Sequence, residues 1–150
     1  MSDLPPRSKW VEWVWLIVSF IGLADASYLA FRHYQGLPPP CGLLEGCETV
    51  TTSPYSLIAG VPVALLGALY YLAFFLLTFY LLDSGNEKIK LWLARGSVLG
   101  FIGSLYFVYL QFFVIEAVCL WCMLSATTST VLFAVGLYVI YYRHMYFGGH

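Results

Sequence analysis

An all-α membrane protein, a bundle of four transmembrane helices with a long extracytoplasmic loop between the first two, is predicted by three observations. Only 10% of the 150 residues are charged, while 61% are hydrophobic and 19% aromatic, where a soluble domain carries about 25% charged residues. The apolar residues gather into four long uncharged or nearly uncharged runs rather than one buried core. Those runs lack the alternation of membrane-barrel strands, and a backbone in lipid must satisfy its own hydrogen bonds, so each run reads as a helix. The formal net charge of −1 and the absence of a basic stripe exclude a nucleic-acid binder, because phosphate binding needs clustered Lys and Arg to displace counterions.

A spanning helix needs roughly 20 mostly apolar residues to cross a hydrocarbon layer about 30 Å thick. Residues 13–31 meet this with Asp25 as the one charge, residues 61–82 and 96–115 with none, and residues 118–142 with none. The basic start, the apolar run and the small triplet Ala24-Asp25-Ala26 also match a cleavable signal peptide. The apolar run continues past that triplet through Tyr28, Leu29 and Phe31, so a spanning first helix is the reading kept. Residues 1–150 are expected to form a single integral membrane domain. Between the first two spans, Ser53 before Pro54 reads as an N-cap with Pro at the first helical position, which predicts a short helix over 54–59 ended by Gly60-Val61-Pro62.

Orientation follows from the flanks, since Lys and Arg are retained on the cytoplasmic side. Arg7 and Lys9 precede the first span, Lys88, Lys90 and Arg95 lie between the second and third, and Arg143 follows the fourth. Six of the seven basic residues thus share one side, and Arg32 alone lies on the other. Both termini are expected in the cytoplasm, in a multi-pass cell-membrane protein. Trp10, Trp13, Trp15, Tyr141 and Tyr142 near the span ends read as interfacial anchors.

All four cysteines then fall on the extracytoplasmic side, where disulfides form and persist. Cys119 and Cys122 sit at helical i, i+3 spacing near the start of the fourth span, with Cβ atoms about 5–6 Å apart, and the helix N-terminus favours thiolate. Cys119, at the mouth, is expected to be the more accessible to water and protein thiols. Cys122, one turn deeper, faces what an apolar molecule reaches from the bilayer. Cys41 and Cys47 lie in a segment opened by Pro38-Pro39-Pro40 and punctuated by Gly42 and Gly46, which disfavours regular helix and predicts a mobile loop. A mobile pair above a helical pair suits disulfide transfer by thiol exchange. Two inert structural disulfides, in a non-catalytic membrane protein, are the alternative. A zinc site fits less well, because the Cys-x5-Cys spacing is loose and the second pair is embedded, so no metal is expected.

The order of these features resembles the vitamin K epoxide reductase family, specifically its small prokaryotic members that make disulfides. The matching pieces are GLADASYL at 22–29, the loop pair Cys41 and Cys47, Ser53, GVPVALLG at 60–67 and CLWC at 119–122, spread over roughly residues 13–142. The resemblance implies a quinone, of ubiquinone or menaquinone type, enclosed beside the Cys-x-x-Cys pair. It also implies that Cys41 exchanges with a separate thioredoxin-like disulfide-carrier protein, that Cys47 attacks the Cys119–Cys122 disulfide at Cys119, and that Cys122 faces the quinone. Ser53 is placed by it near the redox cysteines, where its hydroxyl would orient the acceptor or relay a proton. Mammalian members that reduce vitamin K epoxide have a Tyr four residues after the second Cys of the Cys-x-x-Cys. Ala126 stands there in this chain, and the loop pair is more closely spaced, so epoxide reduction is the alternative activity rather than the expected one.

Other polar residues have structural readings. Asp25 is expected to hydrogen-bond Ser or Tyr neighbours, with proton handling as the functional alternative, since an acid at a span centre costs about 2.5–3.5 kcal/mol. Glu116 reads as an interface marker or a tuner of the cysteines. Gly96, Gly100 and Gly103 read as small residues permitting close helix packing, and the run Thr127 to Thr130 as side chains bonding their own preceding carbonyls. His33, His144 and His150 are scattered at the edges, which argues against haem ligation.

Overall fold

The computed structural model describes residues 9–42 and 46–148. Arg7 and His150, read above for orientation and ligation, lie outside them. Among the described residues four helices are long and apolar enough to cross a membrane: α1 (Trp10–Tyr34), α3 (Val63–Ser84), α4 (Glu87–Tyr109, continued by a π-helical turn at Leu110–Val114) and α5 (Leu120–Phe147). A short helix α2 (Cys47–Thr51), a 3-10 turn (Pro54–Ser56) and a two-stranded hairpin of β1 (Leu57–Ile58) with β2 (Val61–Pro62) fill the connection between α1 and α3. α1 packs most extensively on α3, and α4 on α5, with α1 also against α5.

The core mixes a few large side chains with alanines and with buried polar groups. Trp15 is fully buried, its Nε1–H donating to the Leu132 carbonyl at 3.2 Å and its ring standing edge-on to Phe74 at 5.6 Å. Tyr71 crosses from α3 to α5, its hydroxyl donating to the Ser125 carbonyl at 2.8 Å and lying 2.8 Å from the Thr128 hydroxyl. A methyl at Gly22 of α1 would fall on the Tyr71 ring, so that glycine is what admits the tyrosine. Gly136 likewise lets α5 close on Ser97 and the Ala94 backbone of α4. At the end carrying the start of α1 and the start of α4, buried Glu12 pairs with Lys90 at 3.8 Å, an ion pair longer than a hydrogen bond.

Several expectations change. The third helix begins at Glu87 rather than near 96, because Gly85 takes a left-handed conformation (φ 62°), turning its N–H onto the Leu81 carbonyl at 2.7 Å, and Asn86 Oδ1 then accepts from the Lys88 N–H at 3.0 Å. Lys88, Lys90 and Arg95 therefore ride on the first turns of α4 instead of a loop. The helix expected over 54–59 shrinks to the 3-10 turn. Ser53 is extended and Pro54 does occupy the first helical position, but the Ser53 hydroxyl donates backward to the Val50 carbonyl at 2.7 Å and caps nothing. Ala59 (φ 52°) and Gly60 (φ 80°) then form the hairpin turn. Of the three α4 glycines only Gly100 is tightly packed, making room for the Tyr70 ring, while nothing lies within 4 Å of a Cβ at Gly96 or Gly103. Thr127, Thr128 and Thr130 bond preceding carbonyls as expected.

Candidate active site

The cysteines converge at the end of the bundle opposite the α3–α4 turn. The loop that brings Cys41 there is tied at three points. Arg32, in the last turn of α1, donates to the Pro38 carbonyl at 2.6 Å, and Trp121 Nε1–H donates to the Pro40 carbonyl at 3.1 Å while its ring lies 4.8 Å from that of Tyr28. Gly46 abuts the backbone of Val118, closely enough that a Cβ there would collide with it. The segment expected to be irregular and mobile is thus anchored on both α1 and α5, and its second cysteine opens α2, where Thr51 donates back to the Cys47 carbonyl at 2.7 Å.

Cys41 and Cys47 are joined as a disulfide with Cα atoms 6.0 Å apart, and Cys119 and Cys122 are free thiols. The Sγ atoms of Cys41, Cys47 and Cys119 all lie within 4.8 Å of one another. A metal would need thiolates from all three, and two of them are spent in the disulfide. Cys41 is half-buried, whereas Cys47 is 1% exposed and Cys119 fully buried. The expectation that Cys119 is open to water is overturned: the loop disulfide lies against its sulfur and Gly46 abuts the backbone of the preceding Val118. What it meets directly is the loop pair.

Cys119 is the N-cap of α5 in extended conformation, just before the span begins, and its sulfur accepts from the Cys122 N–H at 3.4 Å. Hydrogen bonding from the Cys122 thiol, and secondarily from the N–H groups of Cys122 and Trp121, holds the Cys119 thiol below its ordinary value against the opposing effect of burial. Its own N–H is held by the Gln111 side chain, whose Oε1 accepts at 2.9 Å. Gln111 stands in the π-helical turn, where the Leu110 carbonyl accepts from Ile115 at 2.7 Å and the Gln111 carbonyl from Ala117 at 3.0 Å. The chain reverses at exposed Glu116, which adopts φ 56°.

Below the cysteines a cavity of about 350 Å³ lies between the four long helices and the α2–β2 connection. Cys122, Ser53, Gln111, Ser129, Tyr70 and Ala126 are among the residues lining it, and the walls are mostly apolar. Ser53 and Cys122, distant in sequence, therefore share one chamber, and Ala126 offers it a methyl where a hydroxyl was considered above. Ser129 is 2% exposed, and its hydroxyl has no hydrogen-bond partner among the described residues. Asp25 departs from expectation. It is 4% exposed, but neither carboxyl oxygen finds the Ser or Tyr partner proposed for it. His33 also lines the cavity.

Gln111 and Tyr71 make polar contacts at this site that the sequence reading did not assign, whereas Ser129, expected to bond a preceding carbonyl like its threonine neighbours, does not. The signal for Gln111 was present, an amide inside an otherwise apolar run, LYFVYLQFFVI. Comparison with curated proteins finds no match. The model of the vitamin K epoxide reductase family matches residues 13–137, and the chain, with its four apolar helices, a cysteine disulfide in the loop and a Cys-x-x-Cys at the mouth of the last helix, belongs to that family.

Proposed function

We propose that this protein is a thiol oxidase of the membrane, which makes disulfides in an extracytoplasmic thioredoxin-like partner and passes the two electrons to a quinone. The single observation carrying this reading is the placement of Cys119, its sulfur within 4.8 Å of both loop sulfurs while Cys122, one turn on, lines the apolar cavity. Six of the seven basic residues flanking the spans support cytoplasmic termini and cysteines on the oxidising face.

In the proposed cycle a partner thiolate attacks Cys41, the more accessible sulfur, forming a mixed disulfide and releasing Cys47 as thiolate. The partner's second thiol resolves that bond, and the partner leaves oxidised with Cys41 and Cys47 reduced. Cys47 attacks Cys119 of the Cys119–Cys122 disulfide, expelling the Cys122 thiolate. Cys41 then displaces Cys119 from Cys47, so the loop disulfide re-forms and the helix pair is left as two thiols. Once the expelled Cys122 thiolate has taken up a proton, its thiol can donate to Cys119 again, and a depressed Cys119 is a good leaving group in that last displacement. Re-closing Cys119–Cys122 releases two electrons and two protons toward the cavity.

A quinone there supplies a two-electron acceptor that dissolves in the bilayer. The residues fit such a group: a mostly apolar chamber within the usual ligand-pocket range of about 300–1,000 Å³, with a few hydrogen-bonding side chains on its walls. Ser53 can present its lone pairs while donating to Val50, which suits it to relay or orient rather than to bind tightly. The test is reduction of a short-chain ubiquinone by purified protein supplied with a reduced thioredoxin-like protein. Wild type is expected to turn over and Cys122→Ala to be inert; retained turnover in Cys122→Ala overturns the assignment.

A further inference from the structure

Gln111 both holds the backbone of Cys119 and lines the chamber. It is 2% exposed, so its amide is cut off from bulk water and both its ends require partners inside the protein or its ligand. The donor N–H of Cys119 settles which end is oxygen, leaving the NH2 end to point away from Cys119. The Cys119 N–H is the one hydrogen-bond partner of the Gln111 side chain among the described residues, and that side chain lines the cavity, so its NH2 can meet a group there. An NH2 on the wall of a mostly apolar chamber favours an acceptor that enters it. The π-helical turn that delivers it is itself a less stable backbone form, of the kind found at functional sites.

We propose that Gln111 is a positioning residue that joins the two halves of the site: its amide oxygen fixes the Cys119 backbone, and its NH2 hydrogen-bonds a carbonyl oxygen of the electron acceptor in the cavity. The inference rests on the proposed function for the identity of that acceptor, a planar apolar molecule bearing carbonyl groups. The hold on Cys119 stands without it. Because one amide makes both bonds, an occupied cavity fixes the amide, and the fixed amide steadies the start of α5.

Gln111→Met keeps the length and apolar body of the side chain and removes both polar ends, and two readouts separate them. Amide hydrogen exchange at Cys119 is expected to quicken at least tenfold. The dissociation constant for short-chain ubiquinone, measured by tryptophan quenching on the intact protein in detergent, is expected to rise about fivefold to tenfold, the equivalent of one hydrogen bond. KM for the quinone should rise in step, while kcat at saturating quinone falls less. Unchanged exchange at Cys119 overturns the hold, and an unchanged dissociation constant overturns the contact with the acceptor, which a purely structural glutamine would also leave unchanged. If wild type itself fails to bind the quinone, the proposed function falls together with the acceptor contact, and exchange at Cys119 still decides the other half.

Discussion

Replacing Gly46 with Ala should separate the two cysteine pairs without touching either. Gly46 has φ −85°, so an alanine adopts its backbone conformation without strain, and the effect is confined to the added methyl. That methyl would fall on the Val118 carbonyl oxygen and sit 2.6 Å from the Val118 nitrogen, against 3.4 Å at ordinary contact, so the loop must rise from the start of α5 by at least about 0.8 Å. Both neighbours are backbone, which cannot rotate aside. Overpacking of this kind costs about 1–3 kcal/mol, and a shift near 1 Å at a reacting pair costs up to about 100-fold in rate. In a Cys41→Ser, Cys122→Ser background the two remaining thiols, Cys47 and Cys119, are joined by diamide, and the linkage is followed by mass spectrometry under non-reducing conditions. Gly46→Ala is expected to slow that reaction by a factor between about ten and 100. Linkage at the parent rate, in a protein whose melting temperature has dropped, would show that the Gly46–Val118 contact does not set the sulfur approach.

Three other substitutions probe the scaffold. Lys90→Met strips the buried Glu12 carboxylate of its counter-ion and should lower thermal stability in detergent by about 3 kcal/mol, most of it restored by adding Glu12→Gln; equal losses in single and double variants would rule out the pairing as the cause. Tyr71→Phe keeps the ring in its Gly22 slot and loses the bond to Ser125, so a loss of about 0.6–1.7 kcal/mol is expected from thermal denaturation. Trp121→Phe keeps the ring against Tyr28 but frees the Pro40 carbonyl, which should let a small dithiol reduce Cys41–Cys47 about fivefold faster, read by thiol titration over time.

Much of the architecture was legible because lipid enforces it: four apolar runs between polar flanks, with basic residues gathered at one end. The helix limits were less legible, as α4 shows. Its first turns carry Lys88, Lys90 and Arg95, and a hydropathy reading stops where charge begins, whereas the helix continues because Gly85 and Asn86 provide a turn and a cap. The cysteines could be picked out by spacing, since their chemistry is covalent and local. What spacing could not convey is burial. Cys119 looks exposed at the head of a span, and only the approach of the loop disulfide and of Gly46 beside it reveals that it is covered. Gln111 and Tyr71 escaped for the same reason, their roles being defined by partners on other turns or other helices.

The covering of Cys119 has a consequence for wiring. A sulfur with no exposed surface is insulated from stray reductants in the surrounding fluid, so within the proposed function no small thiol attacks Cys119 directly. Electrons that reach Cys119 from outside pass through the loop pair, and what fits against Cys41 decides whose electrons those are.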